Sequence, residues 1–141
     1  MIAAYIAASS RQLERAEAAR DYARELGLAP FDWMAMVREN LAAGRTDADL
    51  TVHEQQRITL RLLRGVADAA VFVMLASAHE SEMRVELGYA LRCGMPIVIS
   101  YEGCERPARL FDVLGSHVCG TDRAAVVLAK QLAMGRAEGV R

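Results

Sequence analysis

The chain is poor in the residues that would mark it as an unusual kind of protein. Of its 141 residues only three are proline, three are cysteine and three are histidine, and aromatics make up 6%. Cys93, Cys104 and Cys119 are odd in number and contain no Cys-x-x-Cys pair, which argues against a disulfide framework or a zinc site. His53, His79 and His117 are isolated, with no pair at the spacing that puts two ligands on one helix face, so no metal is expected. Charge of one sign is lacking too: the formal net charge is -1, spread along both halves, leaving no basic face for nucleic acid or an anionic membrane. The apolar opening "MIAAYIAASS" is short, has no basic flank and runs into "RQLERAEAAR". It fits neither a signal peptide nor a spanning helix, and a cytoplasmic location is the expectation.

The patterning of the remainder is regular. "IAAYIAAS" is an uncharged apolar run suited to a strand covered on both faces, and Ser9 or Ser10 then caps a helix to about Leu26, which Gly27 and Pro30 stop. Leu13, Ala16, Tyr22, Ala23 and Leu26 fall near one face of that helix, and Arg11, Glu14, Arg15, Arg20 and Arg24 point elsewhere. "LAPFDWM" reads as a second strand, and "RENLAAGRTDADL" as a short helix and a surface loop. A helix from about Val52 to Arg64 and the strand "AAVFVMLA" follow. Then come a helix over Glu82 to Cys93, a turn at Gly94, the strand "PIVIS", a short helix near "PARLFDVLG", the strand "HVCG", and the helix "DRAAVVLAKQLAM" capped by Thr121 or Asp122.

Strands alternating with helices predict right-handed crossovers and a parallel sheet covered on both faces. Five strands make an α/β three-layer sandwich, flavodoxin-like or Rossmann-like, in one domain over residues 1–134 with a flexible tail over 135–141. Ligands on such sheets bind outside the carboxyl ends of the strands, which points to the loops Ala8 to Arg11, Asp32 to Met36, Ser77 to Ser81 and Ser100 to Glu105. No glycine-rich dinucleotide fingerprint follows the first strand, and no phosphate-loop motif occurs, so dehydrogenase and P-loop chemistry are disfavoured and no cofactor is expected.

One helix carries a suggestive carboxylate. Met83, Leu87, Ala90 and Leu91 share the face that should rest on the sheet, Arg84, Gly88 and Arg92 lie toward solvent, and Glu82, Glu86, Tyr89 and Cys93 form a stripe between. Glu86 follows the loop that leaves the third strand, where a ligand would sit. Its residue type alone also fits an ordinary acidic group in the first turns of a helix, favoured by the macrodipole.

The stretch "VELGYALRCGMPIVIS" resembles the signature of the nucleoside 2-deoxyribosyltransferase family, E-[IL]-G-[YFR]-A followed by G-K-P and a buried strand. "YIAASSR" is similar to that family's first strand and loop, especially in the branch of 2-deoxynucleoside 5-monophosphate N-glycosidases, and "GVADAAVFVML" to the strand before its catalytic helix. The resemblance implies Glu86 as a nucleophile at the anomeric carbon of a nucleoside or nucleotide, through a glycosyl-enzyme intermediate, with Tyr5 orienting its carboxylate. It also implies a homo-oligomer in which neighbouring subunits help to close each pocket.

The supporting residues depart from the family pattern. The carboxylate that handles the leaving base is replaced by Leu60, Asp68 matches the second aspartate of the motif, and Asp32 is a possible substitute acid. Glu80 stands where the family has an aspartate or serine, with Ser81 beside it, and Ser9, Arg11, Asp32, Asp68, Glu80 and Ser81 are the candidate substrate contacts. Two carboxylates there would repel a phosphate unless Arg84 or Arg11 compensates. Two alternatives stay open: an NAD-type glycohydrolase of TIR-like layout, and a catalytically silent nucleotide-binding module.

Overall fold

A computed structural model describes residues 1–77, 81–105 and 116–139, without the side chains of 81, 82 and 137–139. The elements are β1 (Ile2–Ala7), a 3-10 turn (Ser10–Gln12), α1 (Leu13–Glu25), β2 (Leu28–Pro30), α2 (Trp33–Ala42), a second 3-10 turn (Asp47–Asp49), α3 (Val52–Asp68), β3 (Val71–Leu75), α4 (Ser81–Cys93), β4 (Ile97–Ser100), β5 (His117–Cys119) and α5 (Asp122–Gly139). The strands form one parallel sheet in the order β2-β1-β3-β4-β5. This is the expected α/β sandwich. Helices α1 and α5 pack together on one face and α3 and α4 on the other, as right-handed crossovers require when strand order reverses beside β1.

The uncharged runs form the core because both of their faces are covered. Every residue of β3 and β4 is buried, as are Ala4 to Ala7 of β1. On α4, Met83, Leu87 and Ala90 are buried while Arg84, Gly88 and Arg92 are exposed, so the helical spacing placed that helix correctly. On α1 the buried set is Leu13, Ala16, Ala19 and Ala23, with Tyr22 and Leu26 only partly covered.

Three element boundaries differ from expectation. The second strand ends at Pro30 instead of running through "FDWM": proline cannot donate to a ladder, and the Asp32 side chain accepts the Ala35 amide at 3.1 Å and caps a helix at Trp33. Helix α3 runs four residues past Arg64 to Asp68, because Gly65 faces the Phe31 ring and leaves no room for a side chain: an added Cβ would lie 2.8 Å from Phe31 Cγ. Helix α5 continues past Met134 to Gly139, so most of the stretch expected to be a flexible tail is helical. Arg136, Ala137 and Glu138 are good helix formers, which explains the extension. The helix expected near "PARLFDVLG" lies outside the described residues.

Candidate active site

The middle of β1 places Tyr5 inside the molecule. Opposite Phe72 in the ladder, it lies between two rings, with centroids 5.8 Å from Phe31 and 5.7 Å from Phe72 and nearly parallel planes. Gly65 of α3 lets Phe31 sit close behind, so the phenol is held by a packed three-ring stack and is fully buried. Its hydroxyl donates a hydrogen bond to the Glu86 carboxylate. Burial first, then the negative charge of Glu86 and the hydrogen bond to it, push the phenol far above its ordinary range. Tyr5 is therefore a neutral donor at any physiological pH. Glu86 itself is half-buried on α4, between exposed Val85 and exposed Tyr89 along the chain. A carboxylate held by a rigid donor and partly open to solvent has a defined orientation toward a ligand.

The other described candidates each have a local setting. Ser9 is buried at the end of β1, where its hydroxyl accepts the Arg11 amide at 3.3 Å and caps the 3-10 turn, while the Arg11 side chain is exposed. Asp32 is committed: besides capping α2 it receives Arg20 and Arg24, each at 2.9 Å. Desolvation raises its pKa, but Arg20, the Ala35 amide and Arg24 outweigh that and hold it below the usual carboxylate range. Its carboxylate is engaged by two guanidinium groups and a helix amide. Asp68 is exposed at the end of α3, just before β3 begins, and so belongs to the amino edge of the sheet, away from the carboxyl ends where α4 starts. Ser81 opens α4, and Glu80 lies outside the described residues. Leu60 is 66% exposed on α3.

Sequence reasoning missed a polar cluster at the carboxyl edge, on the α1 and α5 face. Arg15, which periodicity sets off the apolar face of α1, forms a two-pronged ion pair with Asp122, Nε to Oδ2 and Nη2 to Oδ1 both at 2.7 Å. Ser100 Oγ donates to Asp122 Oδ1 at 2.6 Å, and the Asp122 amide donates to Glu102 Oε2 at 2.8 Å. Desolvation raises the Asp122 pKa, and the bonds from Arg15 and Ser100 more than offset it, so the carboxyl stays below its ordinary range. No local signal could have found a pair separated by 107 positions.

No protein-family model and no curated protein matches the sequence. Among solved structures, a 2-deoxyribosyltransferase from the psychrotolerant bacterium Bacillus psychrosaccharolyticus superposes with a TM-score of 0.65 at 16% identity, over 86% of this chain and 88% of that one. A CMP N-glycosidase from Clostridium botulinum superposes with a TM-score of 0.56 at 14% identity, over 87% of this chain and 94% of that one. The chain shares their fold. The likeness spans most of both chains in each case. Among the described residues no helix is long and apolar enough to cross a membrane.

Proposed function

We propose that the protein cleaves or exchanges the N-glycosidic bond of a nucleoside or nucleotide, with Glu86 as the nucleophile. The observation that carries this reading is the buried Tyr5 hydroxyl bonded to Glu86 on the helix after β3. Its fold-mates are a deoxyribosyltransferase and a nucleotide N-glycosidase, which supports the same bond as the target.

One Glu86 oxygen attacks the anomeric carbon while the carbon–nitrogen bond breaks and the base departs with the bonding electrons, to be protonated as it leaves. The sugar is then held as an ester of Glu86. Water or a second base attacks the same carbon, and the carboxylate is released unchanged. Tyr5 acts through Glu86: its phenol stays protonated and orients the carboxylate by the hydrogen bond it donates. Val85 and Tyr89, which flank Glu86 along α4, are exposed apolar side chains that a second copy of the chain would cover in a homo-oligomer.

The test is chromatography for free base released from deoxynucleosides, their monophosphates and NAD, with and without an added acceptor base, beside Glu86→Ala. Base release by the parent and a loss of about 1000-fold or more in the variant are expected for removal of a nucleophile. Trapping with a fluorinated deoxynucleoside should leave a sugar adduct on Glu86. An inactive parent with an unlabelled Glu86 would mean a silent binding module instead.

A further inference from the structure

The Arg15 guanidinium does more than pair with Asp122. Its Nη1 also donates to the Ala76 carbonyl and to Gln12 Oε1, both at 2.8 Å. Ala76 is the first residue beyond β3, and α4 begins soon after it at Ser81. The Ala76 amide is taken as well, donating to the Ser100 carbonyl at 2.8 Å, and the Cys104 thiol lies 3.5 Å from the Ala76 oxygen. Ala76 is 1% exposed, and the Arg15 and Asp122 side chains are only 17% and 15% exposed, so water competes little for these bonds. The ion pair is anchored in turn by Ser100 at the end of β4 and by the start of α5. One side chain thus ties together α1, the exit of β3, the exit of β4 and α5, from the face of the sheet opposite to Glu86.

We propose that Arg15 is a positioning residue for Glu86: by holding the Ala76 carbonyl it fixes the point from which the chain enters α4, and so the setting of the Glu86 carboxylate against the Tyr5 hydroxyl. This rests on Glu86 being the reacting group. Tyr5 is immobilised by its ring stack, so any drift of α4 changes the Tyr5–Glu86 contact directly. Geometry at a reacting group has to hold to about half an ångström.

Two variants of the full chain separate this role from plain stability. Arg15→Lys keeps a cation for Asp122 but has one nitrogen, which cannot serve both Asp122 oxygens and Ala76. Arg15→Met combined with Asp122→Asn removes the pin without leaving a buried charge unpaired, and keeps an acceptor for Ser100. The first readout is amide hydrogen exchange, which needs no substrate: exchange about tenfold faster or more is expected in the first turns of α4 as well as in α1 and α5, which the pin also joins, with α2 and α3 unchanged. The second is turnover on the deoxynucleoside panel: kcat should fall about 10- to 100-fold while KM moves less than about threefold. Acceleration spread evenly over all helices, or a loss lying wholly in KM, would show a merely structural residue and overturn the proposal. So would two folded variants with parental exchange and parental kcat. If the parent releases no base at all, the glycosidic reading fails by itself, and the exchange pattern still decides whether Arg15 holds α4.

Discussion

Tyr5 should make the protein sensitive to alkali in a way that one oxygen atom controls. In the unfolded chain the phenol ionises near its ordinary value of about 10. In the folded protein it is fully buried between two rings and hydrogen-bonded to a carboxylate, and its pKa lies far higher. Below pH 10 both states carry the proton and Tyr5 adds no pH dependence. Above it the unfolded state loses a proton that the folded state keeps, so unfolding stability falls by about 1.4 kcal/mol for each pH unit. Between pH 10 and 12 that is a loss of roughly 2–3 kcal/mol from one side chain. Tyr5→Phe keeps the ring stack, gives up one hydrogen bond to a charged group at a cost of about 1–2 kcal/mol near neutrality, and removes the Tyr5 part of the alkaline slope. The parent should therefore be the more stable protein at pH 8 and the less stable one at pH 12, and the two curves should cross. Urea unfolding at intervals of half a pH unit, followed by circular dichroism, measures both. Parallel curves for parent and variant from pH 9 to 12 would refute the reasoning, because Tyr5 would then ionise as easily inside the protein as outside it.

Two further outcomes are expected from the same physics. Asp122→Ala leaves Arg15 and Ser100 without their acceptor at a mostly buried site and should cost about 2–3 kcal/mol by chemical denaturation. Because the Asp122 pKa is lowered on folding, the ion pair's contribution is present above about pH 4 and disappears as pH falls through the depressed folded value, so the parent should lose more stability than Asp122→Asn on acidification. Gly65→Ala replaces glycine in a helix, which by intrinsic propensity would raise stability by up to about 1 kcal/mol. Here the new Cβ meets the Phe31 ring, itself backed by Tyr5, so a loss of about 1–3 kcal/mol and a lower Tm are expected; a higher Tm would show that the ring gives way freely.

Much of the architecture was readable because its determinants are local. The uninterrupted apolar runs of β1, β3 and β4 and the spacing of Met83, Leu87 and Ala90 each carry their own burial pattern, and parallel topology follows from strands alternating with helices. The boundary errors have both local and distant causes. Gly65 reads as a place for a helix to stop, yet α3 passes through it, because its missing side chain accommodates Phe31. "FDWM" has the composition of a strand, but Pro30 and the Asp32 cap turn it into the start of α2.

The same division holds for the site. By itself the sequence determined that Glu86 lies on the margin of a buried helix face near the carboxyl end of a parallel sheet, since that requires only a period and an order of elements. Only the tertiary structure could decide which groups meet. It bonded Glu86 to a tyrosine from the first strand, committed Asp32 to two arginines and a helix cap, put Asp68 at the opposite edge of the sheet, and joined Arg15 to Asp122 across most of the chain. The physical reason is that helix and strand periods fix the direction of a side chain relative to its own backbone, whereas its partner is set by how distant elements pack, and that information is not local to any stretch of residues.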